Sequence, residues 1–324
     1  MQLHNTQPSI ASIFRHSLQV SIALIISACA GCATGSYHFG RAEHYRTSDE
    51  LQARTGPQIE RGEPNVVVDS VGWVFGIPNK ILLFDRRVEN HNIDQQTETA
   101  IAGYLAQNEL SSVKVRLNQY RPGDDWKRLV ANKSVGAGWK YTLGTMSVLG
   151  ETLFPGRLIG GDHFNPFTNT IHLYSNIPSI AYHEGGHAKD FAKREWKGTY
   201  AAAYLIPGVS LYHERLATQD AIDYVTVNGD RGQQKEAYEI LYPAYGSYVG
   251  NVISGYIPFG YVGGVIGGHI AGRIKSRNLP NSDQRSLYSQ SWQSEAVSPN
   301  SSDHAVLRVS QEVEHPPTTR SAEW

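Results

Sequence analysis

The stretch "SIAYHEGGHAKDF", residues 179–191, holds two histidines four positions apart, with a glutamate directly after the first. On a helix, this spacing places His183 and His187 on one face, one turn apart, so both imidazoles can reach a single metal ion. Glu184 then lies beside that ion, where its carboxylate can take a proton from a bound water. The stretch therefore predicts a hydrolytic metal site; the alternative is a surface helix with two solvated histidines.

The residues around this stretch predict a helix with one face in the core. Apolar side chains recur at helical spacing from residue 177 to about residue 195, and an alternating strand is predicted over residues 169–175. The adjacent Gly185 and Gly186 each destabilise a helix by about 1 kcal/mol relative to alanine. We therefore expect a neighbouring element to approach the helix backbone closely there. We expect His172 in the strand to face solvent, with a functional role as the alternative.

The pentapeptide HEGGH, residues 183–187, resembles the active-site helix of the zincin metallopeptidases. In the zincin branch named gluzincins, a glutamate on a following helix supplies the third zinc ligand. The matching residue is Glu214, in a helix predicted over residues 211–225. The resemblance implies Glu184 as general base and a Zn²⁺ ion bound by His183, His187 and Glu214.

The residue that would support a ligand histidine is less directly indicated. Many gluzincins place an aspartate directly after the alanine that follows the third ligand by three positions, but Thr218 stands there in this sequence. Asp190 and Asp220 are the candidates for the supporting role. Asp190 is unsuited as a ligand itself, because it lies about 10 Å along the helix from His183.

The rivals to Glu214 as third ligand are His213, Asp220 and Asp223. We expect Tyr200, Tyr204 and Tyr212 to be packed or surface aromatic residues. The alternative is that one of them donates a hydrogen bond from its hydroxyl to the substrate.

Other segments predict a mixed α and β fold. Residues 80–85, "KILLFD", and residues 113–120 have the composition of strands. Residues 94–110 have a helical pattern whose inward side chains are Ile101, Tyr104 and Leu105. We expect an α+β protein with a zincin-like core of an edge strand, the active-site helix and the glutamate helix. In zincins the edge strand binds peptide substrate, and residues 169–175 would take that position.

Residues 243–272 are rich in glycine and contain no acidic or basic side chain apart from His269. Spacing by four positions, which lets helices approach closely, recurs at Gly246 and Gly250 and at Gly260, Gly264, Gly268 and Gly272. Pro258 divides the segment into two pieces, each too short to cross a bilayer of about 30 Å as a straight helix. We expect a packed helical hairpin, with insertion into a membrane as the alternative.

The N-terminus has the features of an export signal. Arg15 precedes a short apolar run that is followed by small residues, which predicts a signal peptide over residues 1–28. The tetrapeptide ISAC, residues 26–29, resembles the bacterial lipoprotein box and implies lipid attachment at Cys29. Ordinary signal cleavage, which would leave a secreted protein with a free thiol, is the alternative.

The chain is thus expected to have four parts. They are the signal peptide at residues 1–28, a lipid attachment and polar tether at 29–65, a metallohydrolase domain at 66–275, and a disordered polar tail at 276–324. Both cysteines precede the domain, which is therefore expected to fold without a disulfide.

Composition and motifs together indicate a function. The chain of 324 residues has a formal net charge of -1, so no basic field indicates a nucleic-acid partner. We expect an exported zinc metalloendopeptidase of the cell envelope that acts on a protein or peptide substrate. Its lipid would hold it at a bacterial membrane, to which residues 243–272 would add contacts if they insert. The alternatives are a non-catalytic zincin-like lipoprotein that binds or scaffolds, and an integral membrane metalloprotease.

Overall fold

The computed structural model describes residues 37–53, 56–206 and 208–280. The described residues up to Leu279 belong to one compact unit. The expected signal peptide at residues 1–28, the lipid attachment at Cys29 and all but the first residues of the tail at 276–324 lie outside the described residues.

Helices predominate over a small sheet, and the chain is an α+β protein, as its sequence predicts. The strands are β1 (Ile59–Arg61), β2 (Lys114–Leu117), β3 (His163–Asn165) and β4 (Thr170–Leu173). The α-helices are α1 (Glu50–Ala53), α2 (Val66–Phe75), α3 (Ile77–Leu83), α4 (Gln95–Gln107), α5 (Pro122–Ala131), α6 (Ala137–Trp139), α7 (Thr145–Leu153), α8 (Gly156–Ile159), α9 (Pro178–Lys193), α10 (Lys197–Ala202), α11 (Val209–Asn228), α12 (Arg231–Ser254) and α13 (Gly260–Arg277). A π-helical turn, Lys140–Gly144, joins α6 to α7.

The sheet has the strand order β1-β2-β4-β3, in which β3 alone runs antiparallel to its neighbour. The expectation that residues 169–175 form the edge strand is therefore wrong, because β4 lies between β2 and β3. All four residues of β4 are buried. The alternation of polar and apolar residues in β4 suggested one solvated face, but α5 covers that face, and its Arg128 donates a hydrogen bond of 3.1 Å to Thr170 Oγ1.

The folded unit begins before Val66, the expected start of the domain. The ring of Tyr37 is part of the main core, and its hydroxyl donates to Asn108 Oδ1 over 3.0 Å. The β1 strand pairs with β2 along the edge of the sheet. The described part of the expected tether at 29–65 is therefore packed structure. Its elements have only three or four residues, too few for a periodic pattern to be recognised in the sequence.

Residues 80–85 also differ from the expectation, since Ile77–Leu83 is helical rather than a strand. Pro78 at the start of α3 has the backbone angle that a first helical turn requires. The helix ends at Phe84, whose left-handed conformation has φ 53°. The ammonium group of Lys80 is turned inward and donates to the carbonyl oxygens of Trp73 and Glu89. Short apolar runs of this kind fit a helix and a buried strand equally well.

The helix pair α2–α3 has an inverted distribution of polarity. Its apolar side chains Val67 and Ile81 are exposed, whereas Asp69 turns inward and pairs with Arg157 at 2.8 Å. Within the described ranges, no single helix is long and apolar enough to cross a membrane. The pair α2–α3, bent by 51°, meets the requirement by length and composition.

The glycine-rich segment forms the expected helical hairpin, and both of its helices, α12 and α13, extend beyond the segment. Its glycines lie where the two backbones touch. A Cβ atom on Gly268 would lie 2.5 Å from the carbonyl oxygen of Tyr242, and one on Gly250 would lie 2.7 Å from that of Tyr261. A Cβ on Gly246 would overlap the carbonyl oxygen of Gly264. The four-residue spacing therefore serves close packing between the helices.

We expect Gly268→Ala to destabilise the protein by about 1–3 kcal/mol, because the added methyl group forces the two backbones of the hairpin apart. Gly150→Ala is the matched control, since Gly150 also lies within a helix but no atom stands within 4 Å of its added Cβ. The control variant should be neutral or up to about 1 kcal/mol more stable, as helix propensity dictates. Urea unfolding measures both. Equal effects of the two substitutions would contradict the packing role of Gly268.

Candidate metal centre

The two histidines of the opening stretch lie together on α9. Pro178 occupies the first turn of this helix, and most of the helix is buried. The rings of His183 and His187 have centroids 4.7 Å apart, and their Nε2 atoms face each other at 3.2 Å. Two imidazole nitrogens this close repel each other through their lone pairs unless a proton or a cation lies between them.

The following helix, α11, supplies the carboxylate. Glu214 Oε2 lies 3.2 Å from His183 Nε2, and Glu214 Oε1 lies 3.5 Å from His187 Nε2. One ligand atom from each of the three residues lies within 4.8 Å of the other two. The structure thus brings together the three residues that the sequence predicts as ligands.

The two glycines between the histidines allow this convergence. A Cβ atom on Gly186 would lie 3.0 Å from the backbone of Ala217 in α11, and one on Gly185 would lie 2.5 Å from the ring of Tyr104 in α4. The expectation that a neighbouring element approaches α9 at these glycines is confirmed. The approach of α11 at Gly186 brings Glu214 within reach of the histidines.

Charges within the cluster favour its ionised carboxylate. Burial of Glu214 acts to raise its pKa, but His187 and His183 outweigh burial and hold the pKa below its ordinary value. A carboxylate that stays ionised in a buried site is a strong ligand for a cation.

A hydroxyl group contacts the Nδ1 atom of each histidine, the ring nitrogen that does not face Glu214. Tyr204 Oη lies 3.2 Å from His187 Nδ1, and Thr218 Oγ1 lies 3.4 Å from His183 Nδ1. Such contacts orient imidazoles and leave their Nε2 atoms facing Glu214. Thr218 therefore occupies the supporting place, at the position where many gluzincins carry an aspartate.

The two aspartates expected in the supporting role contact neither histidine. Asp190 pairs with Arg194, four residues further along α9, and accepts a hydrogen bond from Tyr200. Asp220 accepts a hydrogen bond of 2.6 Å from Lys189. Both expectations were wrong, because each carboxylate pairs with a cation instead of a histidine. The cation is Arg194, one turn along α9, for Asp190, and Lys189, on the neighbouring helix, for Asp220.

The remaining rivals for the third ligand also lie elsewhere. The ring of His213 is buried and stacks on Tyr204 with centroids 3.9 Å apart, and neither of its nitrogens has a hydrogen-bond partner among the described residues. Asp223 accepts a hydrogen bond of 2.7 Å from Gln219. Since neither belongs to the cluster, Glu214 is the carboxylate that faces the histidines.

Glu184 is 6% exposed, and its carboxylate makes no hydrogen bond or ion pair with the described residues. Burial raises the pKa of Glu184 to about 7, an effect that His183 opposes and Glu214 reinforces. A buried carboxyl group without a protein partner is costly, and such groups concentrate at functional sites.

A tyrosine that the sequence analysis did not identify also lies near the cluster. The negative charge of Glu214, and after it that of Glu184, raise the pKa of Tyr248 above its ordinary value, although the residue is 43% exposed. Tyr248 belongs to α12, so the glycine-rich hairpin borders the site. Tertiary packing places Tyr248 near the cluster, and the spacing of residues within the hairpin did not indicate this position.

Two imidazoles and one carboxylate, buried and facing one another, are the donor set that binds Zn²⁺ at hydrolytic sites. The residues present therefore fit a zinc ion. No protein-family model, curated protein or solved structure matches this chain.

We expect Tyr204→Phe to weaken zinc binding by about 10-fold or more, because His187 loses the hydroxyl that orients it. Tyr200→Phe is the matched control, since the Tyr200 hydroxyl contacts Asp190 and no ligand. Isothermal titration of the full chain with Zn²⁺ measures both affinities. An unchanged affinity in Tyr204→Phe would show that this hydroxyl does not support the ligand.

Proposed function

We propose that this chain is a zinc-dependent hydrolase, and specifically a metalloendopeptidase with a gluzincin-like site. The observation that carries the proposal is the convergence of His183, His187 and Glu214 beside the buried and unpartnered carboxyl group of Glu184. A purely structural zinc site has four protein ligands and needs no base beside it. Three ligands with a free carboxyl group are typical of hydrolytic sites.

The three ligands would hold the ion and leave a position open for water or substrate. A zinc ion bound there would polarise the substrate carbonyl and lower the pKa of a bound water to about 7. Thr218 and Tyr204 keep the two imidazoles in the orientation that binding requires. Closely packed helices on both sides of α9 keep these groups in place before substrate arrives.

Glu184 moves the proton in the proposed reaction. Its carboxylate accepts a proton from the attacking water while the water oxygen forms a bond to the carbonyl carbon. It then gives the proton to the amine nitrogen as the carbon–nitrogen bond breaks. Burial strengthens this exchange, because few solvent molecules compete for the carboxyl group.

The substrate would lie along β3 and toward α12. The β3 strand is one of the two edges of the sheet, and its Phe164 packs against Phe191 of α9 with ring centroids 5.7 Å apart. An extended peptide can add to such an edge through main-chain hydrogen bonds. The Tyr248 hydroxyl, which keeps its proton, is the group we assign to donate to the oxygen of the attacked carbonyl.

We further propose that the enzyme acts in the cell envelope. The support is the apolar run before residue 27 and the box that ends at Cys29, both of which lie outside the described residues. The lipid would hold the enzyme at a membrane surface, with protein or peptide as its substrate.

Glu184→Gln should lower kcat/KM for peptide hydrolysis by about 10²–10⁴-fold, because the amide cannot accept the proton from water. The same variant should bind as much zinc as wild type, measured by plasma mass spectrometry, whereas Glu214→Ala should bind one ion fewer per chain. Glu195→Gln, at an exposed glutamate just beyond α9, is the matched control and should hydrolyse a peptide library at the wild-type rate. Near wild-type turnover in Glu184→Gln would refute the assignment of the base.

A further inference from the structure

A second cluster of ligand-type side chains lies on the face of the sheet opposite α9. It consists of Glu151 from α7, His163 from β3 and His172 from β4, and one ligand atom of each lies within 4.8 Å of the other two. The apolar neighbours of His172 along β4, Ile171 and Leu173, belong to the main core together with residues of α9. The cluster is therefore separate from the His183–His187–Glu214 site.

The register of the sheet creates the histidine pair. His163 and His172 are directly opposite each other in the antiparallel ladder of β3 and β4. Their rings stack with centroids 4.7 Å apart and an angle of 11° between planes. Directly opposed residues have their side chains on the same face of a sheet, so both imidazoles point toward α7.

The carboxylate of Glu151 completes the group. Its Oε1 atom lies 3.1 Å from His163 Nε2, and its Oε2 atom lies 3.9 Å from His172 Nε2. Asn165, two residues beyond His163 on the same face of β3, donates to Oε1 over 2.6 Å and holds the carboxylate in place. A ligand carboxylate that is itself hydrogen-bonded is typical of metal sites.

Two buried atoms of the cluster have no hydrogen-bond partner among the described residues. His172 is 4% exposed, and neither its Nε2 nor Glu151 Oε2 has a hydrogen-bond partner among the described residues. Buried polar atoms without partners are rare in native proteins, and an ion is one of the recognised explanations. Arg116, the buried cation nearby in the sheet, is not available to Glu151, because it pairs with Asp125 at 2.9 Å.

The second histidine is already oriented as a ligand. His163 Nδ1 lies 2.9 Å from the carbonyl oxygen of Gly161, to which it can donate its proton. Without an ion, Nε2 can donate to Glu151 Oε1 at 3.1 Å; an ion that displaces this proton meets the Nε2 lone pair on the side of Glu151 and His172. The side chain of His163 is 35% exposed, which gives an ion a path from solvent.

The size of the space favours an ion over an organic ligand. The cavity that these three side chains help to line has a volume of about 10 Å³. Such a volume is about that of one water molecule's site. We propose that Glu151, His163 and His172 form a second site for a divalent transition-metal cation, for which two imidazoles and a carboxylate are suitable donors.

The test is the zinc stoichiometry of the full chain after removal of metal with a chelator and dialysis against Zn²⁺. Wild type should bind two ions per chain, and Glu214→Ala and His172→Gln should each bind one. Glu151→Gln should behave like His172→Gln, and it serves as the second variant if His172→Gln fails to fold by circular dichroism. His91→Gln is the matched control, because His91 is a buried histidine outside both clusters whose Nε2 is also unpartnered.

Each outcome is decisive. If His172→Gln and Glu151→Gln bind as many ions as wild type, the cluster is an ion pair beside a neutral histidine and the inference is overturned. If wild type binds one ion that is lost in His172→Gln and kept in Glu214→Ala, the second site stands and the proposed function fails. If one ion is lost in Glu214→Ala alone, the proposed function stands and the second site is absent.

Discussion

The close approach of α9 and α11 at Gly186 is the contact on which the candidate site depends. Each helix uses the same arrangement at this contact. On α9, the two proposed ligands His183 and His187 flank the small residue Gly186. On α11, the proposed ligand Glu214 is followed by the small residue Ala217 and by Thr218, whose hydroxyl contacts His183. Positions one, four and five of a helix share one face, so the backbone contact of Gly186 with Ala217 aligns both functional rows at once.

A polar network one turn beyond Gly186 also holds α9 against α11. Lys189 donates to Asp220 of α11 over 2.6 Å and to the carbonyl oxygen of His38 over 2.7 Å. The hydroxyl of Tyr104, from α4, also donates to Asp220. The aspartate that the sequence suggested for the site thus joins α4, α9, α11 and the N-terminal segment. Removing one partner would leave a buried charge uncompensated, so this network specifies the positions of the helices that carry the proposed ligands.

The parts of the molecule that the sequence predicts well are those determined by short-range spacing. The helix of HEGGH, the glutamate helix and the glycine hairpin each have a local pattern, and Ile101, Tyr104 and Leu105 are buried as the helical period of residues 94–110 indicates. The strand order was not predictable in this way. Residues 169–175 alternate as an edge strand does, but the buried Arg128 of α5 donates a hydrogen bond to Thr170 on their polar face. Tertiary partners of this kind override an alternation pattern.

The two clusters show why one set of residues is visible in a sequence and another is not. Both contain two histidines and a glutamate within 4.8 Å. In the first, a single helix fixes the histidines, so their separation of four positions appears directly in the sequence. In the second, the register of two strands brings His163 and His172 together, although nine positions separate them. The loop between two paired strands can have many lengths, so this separation is not characteristic of the pair. Because register depends on the pairing of whole strands, no spacing rule identifies such a pair, and only the folded sheet places the two imidazoles face to face.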